Sequence, residues 1–358
     1  MQKRAGQRKS GQAGQGTAAA HVLAAGKANP VLVDITRGGT VESVHRGAIA
    51  VVEAGGRVVH SAGDIQSFIY ARSAFKMMQA IPLVESGAAA HFALGGKELA
   101  LACASHTGES FHVEAVKAWL AKIGCTEDDL ACGPHPPYAE VDAHKLIRAG
   151  MKPSRVHNNC SGKHTGFLTL AKHLGVPIKG YEQVTHPVQR AVREALADLA
   201  QMKEEAFAVG IDGCTAPNFA MPLSALALAF AQLADPSRLA PKRAEAARAL
   251  NAAAKENPLY VSGTGRACAA MIGAAKGMTT VKAGAEGVYG AVVPEKKLGI
   301  ALKMDDGAGR AAECAMAAVL AQLGLVDANE PAIAKLIEGP ILNTRKETVG
   351  AIRARVNL

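Results

Sequence analysis

Ser73-Ala-Phe-Lys76 opens a helix-like run, and the rest of the chain can be organised around it. Apolar residues recur after it at helical spacing, at Ala74, Met77, Met78 and Ile81. This pattern predicts a helix from Ser73 to Glu85. Residues three apart share one face of a helix, so the Lys76 amine is expected to reach the Ser73 hydroxyl.

Two further motifs complete a recognisable order of residues. Ser105-His-Thr107 follows the first motif, and Lys282-Ala-Gly284 lies far downstream. Serine acyl-transfer enzymes that use lysine as the base carry Ser-x-x-Lys, Ser-x-x and Lys-x-Gly in this order. Each motif alone is weak evidence, because Ser73 can be a helix cap followed by a surface lysine, Ser105 a cap in a turn and Lys282 an exposed strand lysine. A lysine base also needs a pKa about 3 units below its usual value, which requires burial or nearby positive charge.

A group of soft metal ligands lies between these motifs. Cys160-Ser-Gly-Lys163-His164 and Asp212-Gly-Cys214 offer sulfur, nitrogen and oxygen donors. Their spacing favours a Zn²⁺ site formed by Cys160, His164 and Cys214. Two reduced, buried cysteines without a metal fit the same residues equally well.

Composition excludes several classes of protein. Of the net charge of +9, residues 1–29 contribute +5, leaving +4 for the remainder, and no basic stripe with interleaved aromatic residues follows. Nucleic-acid binding is therefore not expected. The sequence has no uncharged apolar run of about 20 residues, which argues against a membrane span. The N-terminal segment lacks the apolar stretch of a secretory signal, so we expect a cytoplasmic protein with reduced cysteines.

Strand patterns at both ends of the chain enclose a helical middle. Arg46–Glu53 and Arg57–Ser61 form a predicted hairpin around Ala-Gly-Gly, and Pro187–Met202 is a clear amphipathic helix. We therefore predict an α/β (α+β) fold with one mixed sheet built from both chain ends, flanked by helices and interrupted by a helical insertion. The expected organisation is a basic tail over 1–28 and a single catalytic unit over 29–358. Within that unit, the sheet region spans about 29–72 and 278–358, and the mainly helical region about 73–277.

The motifs resemble those of the rhizobial-type, class 3 L-asparaginases of the asparaginase II family. The matching segments run from Asn29 to about Leu325 and include Arg72-Ser-Ala-Phe-Lys76, Asn159–Gly166, Asp212-Gly-Cys214 and Lys282–Gly287. The resemblance implies a fold like that of serine β-lactamases and glutaminases, and a homodimer. It also implies two Ser–Lys tandems, Ser73–Lys76 and Ser105–Lys282. For the metal it implies zinc held by Cys160, Lys163 and Cys214, and on the substrate side it implies Arg72, His164, Asp212 and Cys268.

The implied reaction converts L-asparagine and water into L-aspartate and ammonia. In this hypothesis Ser73 attacks the amide carbon, Lys76 takes its proton, and Ser105 with Lys282 relays a proton to the departing ammonia. The zinc is expected to order the substrate region rather than polarise the amide. A glutaminase or another serine amidohydrolase of this fold is the nearest alternative, and a non-catalytic zinc-binding protein is a more distant one.

Overall fold

A computed structural model describes residues 28–358 of the chain. The predicted basic tail therefore lies, apart from its last residue, outside the described residues. Among the helices of the described part, none is long and apolar enough to cross a membrane. All seven cysteines fall within this part, where each is free and buried.

Strands at the two ends and helices in the middle form the element order. The described strands are β1 (Val31–Arg37), β2 (Thr40–Glu53), β3 (Val58–Ala62), β4 (Phe68–Tyr70), β5 (Ala208–Ile211), β6 (Pro217–Pro222), β7 (Thr280–Ala283), β8 (Val288–Val293), β9 (Leu298–Met304), β10 (Glu338–Leu342) and β11 (Thr348–Ala354). The described helices are α1 (Lys76–Glu85), α2 (Ala88–His91), α3 (Gly96–Ala102), α4 (Ser110–Lys122), α5 (Glu140–Arg148), α6 (Ser161–His173), α7 (Pro187–Ala200), α8 (Leu223–Ala234), α9 (Pro241–Glu256), α10 (Pro258–Val261), α11 (Ala267–Ala274), α12 (Gly309–Gln322) and α13 (Pro331–Ile337).

The main sheet joins both ends of the chain, as predicted. Its order is β10-β11-β1-β2-β9-β8-β7, and β3 adds an eighth strand by pairing with the second half of β2. Val33 of β1 pairs with Ala354 of β11, almost the full described length away. The α/β class is confirmed. One detail is corrected: every described pairing of this sheet is antiparallel, because its neighbouring strands are joined without parallel β-α-β crossovers.

Both faces of the sheet are buried. Along β2, Ala48, Ala50 and Val52 enter one apolar cluster, which contains residues of α8. The intervening Ile49 and Val51 enter a second cluster with residues of α12. Because side chains alternate across a strand, this near-continuous apolar run covers both faces and gives a helix–sheet–helix sandwich.

Helix α8 lies very close to the sheet because two glycines of neighbouring strands face it. A Cβ atom on Gly299 would overlap the Ala227 carbonyl oxygen, and one on Gly290 would overlap the Phe230 ring. The absent side chains let the helix backbone approach β8 and β9 directly. This close approach fixes the position of the sheet edge that ends in β7, which carries Lys282.

The central region between β4 and β7 is mainly helical but also contains a three-stranded sheet of order β4-β6-β5. The short apolar run from Phe207 to Ile211 predicts β5, but the sequence does not predict β6, which begins and ends with proline. The predicted helix at Ser73 also differs in the structure. Arg72–Phe75 forms a 3₁₀ turn, and the α-helix begins at Lys76.

Candidate active site

The Ser105 hydroxyl lies between two lysine amines. Its Oγ atom is 3.0 Å from Lys76 Nζ and 2.9 Å from Lys282 Nζ. Lys76 begins α1, Ser105 follows α3, and Lys282 lies on β7, so three separate elements supply these groups. Both lysine side chains are buried. The structure therefore brings the predicted Ser105–Lys282 pair together and adds Lys76 to it.

Lys282 has the electrostatic setting of a base. Burial, reinforced by the positive charge of Lys76, lowers the pKa of Lys282 from 10.5 to about 7. Its amine also donates a hydrogen bond to the Ala283 carbonyl at 2.7 Å. An amine with such a pKa is substantially neutral at physiological pH and can accept a proton from a hydroxyl.

Ser73 is placed differently from the sequence-based expectation. The Lys76 amine donates to Ala104 O and Ser105 Oγ and contacts Cys160 Sγ at 3.1 Å. Among the described residues, the Ser73 hydroxyl makes no hydrogen bond with it. An i,i+3 contact between Ser73 and Lys76 requires one continuous α-helix, whereas the 3₁₀ turn places Ser73 before the helix starts. The turn that contains Ser73 nonetheless packs against β7, the strand of Lys282, and Gly284 just after this strand lies against the backbone of Ala71 and Ala74.

His106 holds the loop that carries Ser105, a role the sequence analysis did not assign. Its ring is fully buried, its Nδ1 accepts the Gly108 N–H, and its Nε2 lies 2.9 Å from Ser161 Oγ. The backbone N–H of Ser105 donates to Val261 O, and that of His106 to Asn159 O. The loop is thus tied to the start of α6 and to the end of α10. The signal in the sequence that could have indicated this role is a histidine directly after a candidate catalytic serine.

The predicted metal ligands meet beside Lys76. Lys163 Nζ is 3.0 Å from Cys214 Sγ, and Cys160 caps the start of the same helix, α6. A hydrogen bond from Cys160, the charge of Lys163 and a hydrogen bond from His164 lower the pKa of Cys214 despite its burial. The same Cys214 interaction, together with burial, raises the pKa of Cys160. Cys214 is therefore the thiolate of the pair, and Cys160 keeps its proton.

This donor set suits a soft divalent metal if lysine participates. Within residues 28–358, no three His, Cys, Asp or Glu side chains converge as a metal-binding group. A metal here would therefore need the Lys163 amine as well as the two sulfur atoms. Burial lowers the pKa of Lys163, but the charge of the Cys214 thiolate outweighs burial and raises the pKa overall, so metal binding would have to displace the Lys163 proton.

Arg72 and Asp212 form a forked ion pair at the mouth of the site. Arg72 Nε lies 3.3 Å from one Asp212 carboxylate oxygen and Nη2 lies 3.1 Å from the other. Arg72 has a positive φ of 49°, a conformation that non-glycine residues rarely adopt. Its backbone N–H donates to the Asn218 side chain, which stabilises that conformation. Asp212 also precedes Cys214 by two residues, so the Arg72–Asp212 ion pair connects the mouth of the site to the two cysteines, Cys160 and Cys214.

A family model described as L-asparaginase II matches residues 33–354. The chain belongs to the L-asparaginase II family. Membership makes it an amidohydrolase with a small amide as its substrate. No curated protein matches the sequence.

Several solved structures resemble this L-asparaginase II chain at low similarity. One, described as Mglu in its native form, is 15% identical with a TM-score of 0.41, and the match covers 80% of this chain and 66%, just under two thirds, of that one. A beta-lactamase from Mycobacterium bovis is 15% identical with a TM-score of 0.37, and the match covers 77% of this chain and 94% of that one. A putative beta-lactamase from Bacteroides dorei is 14% identical with a TM-score of 0.40, and the match covers 73% of this chain and 87% of that one. All three TM-scores are below 0.5, so the relationship rests on the family match.

Two predicted substrate-side residues of the L-asparaginase II chain are fully enclosed. His164 Nδ1 lies 2.7 Å from the Tyr181 hydroxyl, and burial lowers the pKa of His164, which keeps its ring neutral. Cys268 Sγ accepts the Ala283 N–H at 3.3 Å, directly after Lys282. Burial raises the pKa of Cys268, so it is a neutral thiol that supports the strand of Lys282. Their contact with substrate stays a prediction.

Proposed function

We propose that this chain is an L-asparaginase that hydrolyses the side-chain amide of L-asparagine to L-aspartate and ammonia. The observation that carries the proposal is the Ser105 hydroxyl bridging two buried lysine amines in a member of the L-asparaginase II family. A rhizobial-type, class 3 assignment, a homodimer and a cytoplasmic location belong to the same proposal. They are supported by the motifs and composition of the sequence.

In the proposed reaction, Ser73 is the nucleophile and Ser105 is a proton relay. Lys76 first gives a proton through Ser105 to the neutral amine of Lys282. Ser73 Oγ then forms a bond to the amide carbon, and its proton passes to the neutral Lys76 when substrate draws the two groups together. Hydrogen bonds at catalytic groups are often long before substrate binds, so their present separation is compatible with this step. The bridging position of Ser105 supports proton transfer between Lys76, Lys282 and the leaving nitrogen. Ammonia departs, and water then hydrolyses the acyl-enzyme ester to release aspartate.

Zinc is part of the proposal as a structural ion. Cys160, Lys163 and Cys214 would hold it, and two sulfur ligands would leave it little Lewis acidity. Its contribution would be to stabilise the segment from Asp212 to Cys214, and through Asp212 the position of Arg72. The Ser–Lys steps use only side chains of this chain.

The decisive experiment measures ammonia release from asparagine and glutamine by the purified chain and two variants. We expect activity on asparagine to exceed that on glutamine, and Ser73→Ala to lose at least about 10³-fold in kcat. Ser237→Ala, at an exposed serine, is the matched control and should retain full activity. A folded Ser73→Ala protein with near-normal turnover would refute the nucleophile assignment.

The same assay separates the alternatives. A glutaminase would favour glutamine over asparagine, and another serine amidohydrolase would act on neither. A non-catalytic zinc-binding protein would hold metal and release no ammonia from any amide.

A further inference from the structure

Glu286 carries an exposed carboxylate in a long ion pair with Arg72 at the mouth of the candidate site. It lies four residues after Lys282, its side chain is 70% exposed, and one oxygen is 4.0 Å from Arg72 Nη1. Among the described residues, its carboxylate makes no hydrogen bond. Its backbone has a positive φ of 58° and its carbonyl accepts the Lys303 amine, so the side chain is held at this edge by its own backbone.

The charged groups around Glu286 already make hydrogen bonds with some of their atoms. Both oxygens of Asp212 accept from Arg72, and one also accepts the Gly213 N–H. These bonds use Arg72 Nε and Nη2 and leave Nη1 directed toward Glu286. The mouth therefore offers an anion and a cationic donor that form a long ion pair with each other but, among the described residues, make no hydrogen bond.

An α-amino acid presents the complementary arrangement, since its ammonium and carboxylate groups share one carbon atom. We propose that Glu286 binds the α-ammonium group of the substrate while Arg72 Nη1 binds the α-carboxylate. Asp212 then positions Arg72 and does not contact the ammonium. This inference rests on the proposed function, because it places the substrate's α-carbon at the mouth and its amide at Ser73, the residue after Arg72.

Calorimetric binding of L-aspartate and succinate tests the inference without requiring turnover. The two ligands share both carboxylates and differ in the α-ammonium group. We expect the wild-type chain to bind aspartate about 10- to 100-fold more tightly than succinate. Glu286→Gln should remove most of this preference while leaving succinate binding within about 3-fold. Glu286→Asp should recover part of it.

Glu295→Gln provides the control, since it makes the same charge change at an exposed turn at the opposite end of β8. Kinetics add a second readout: Glu286→Gln should lower kcat/KM for asparagine about 10- to 100-fold through KM, but not for succinamate, which lacks the amine. Equal binding of aspartate and succinate by the wild type, or equal losses for both ligands in Glu286→Gln, would overturn the inference. Failure of the wild type to hydrolyse asparagine would overturn the proposed function, whereas the binding comparison would still decide the role of Glu286.

Discussion

The Ser105 hydroxyl oxygen and the Lys282 amine lie 2.9 Å apart, although 177 positions separate them in the chain. β7 places Lys282 at one edge of the main sheet, and the loop after α3 places Ser105 against it. Burial of the Lys282 amine allows it to act as a base in this contact, because a solvated lysine would be protonated and could not accept a proton.

The first prediction concerns pH. Because burial lowers the pKa of Lys282 to about 7, its amine is protonated below pH 7 and neutral above it. We expect kcat/KM for asparagine to rise about tenfold per pH unit below 7 and to level off above it. Initial rates between pH 5 and 9 test this. Lys282→Met should lose at least about 10²-fold at the plateau, and a flat profile across pH 6–8 would contradict the role of Lys282.

The same shift predicts how stability depends on pH. Between pH 7 and 10.5 the unfolded chain has Lys282 protonated and the folded chain does not, so the unfolded state binds more protons. The Lys282 contribution to the free energy of unfolding should therefore increase as pH rises through this window. Denaturant unfolding of wild type and Lys282→Met should be compared at pH 7 and pH 9. The difference in free energy of unfolding between the two proteins should shift in favour of the wild type at the higher pH.

His106 should be required to position Ser105. His106→Ala leaves the buried Gly108 N–H without its acceptor and removes one of the two hydrogen bonds of the Ser161 hydroxyl, which still donates to Val156 O. We expect this to cost about 1–3 kcal/mol of unfolding free energy. Activity should fall through kcat more than through KM, because Ser105 would no longer be held between Lys76 and Lys282. His144→Ala, at an exposed helix position, should change neither. An active, fully stable His106→Ala protein would exclude this positioning role.

Helix α8 should not tolerate a side chain at Gly299. The added Cβ of Gly299→Ala would overlap the backbone of Ala227 and Ala231, and we expect a loss of about 2–3 kcal/mol in denaturant unfolding. Gly273 offers the contrasting case, since no atom lies within 4 Å of a Cβ added there in helix α11. Gly273→Ala should stabilise the chain by about 0.5–1 kcal/mol. Equal effects of the two substitutions would contradict the packing described for α8.

Zinc should be lost when one sulfur ligand is removed. We expect protein purified without chelator to contain about one zinc per chain, and Cys214→Ser to contain far less. Cys314→Ser is the matched control, because Cys314 is also free and buried but lies against the carbonyl of Ile337. Metal analysis by mass spectrometry measures both. A wild-type chain without zinc, or equal loss in both variants, would remove the metal from the proposal.

Much of the fold was predictable because its signals are local. The β2–β3 hairpin follows from apolar, strand-like runs on both sides of Ala54-Gly-Gly56, and α7 follows from apolar residues at helical spacing after Pro187. The closeness of Ser105 and Lys282 was predictable only through the order of motifs. No periodicity in the sequence relates those two positions.

What the sequence could not provide depends on tertiary contacts. Lys76 contacts Ser105 rather than Ser73 because a 3₁₀ turn precedes α1, and the Ser73 to Glu85 pattern gave no sign of that turn. Strand β6 was missed because proline usually opposes a central strand, whereas here Pro217 and Pro222 stand at its two ends. The role of His106 required knowing that α6 begins beside it.

Pairing of Val33 with Ala354 has a consequence for synthesis of the protein in a cell. As the nascent chain leaves the ribosome, β1 has an open edge until β11 has been translated. We therefore expect this high contact order to make completion of the sheet late and slow, so that the β1–β2 hairpin is exposed to aggregation and to chaperone binding in the meantime.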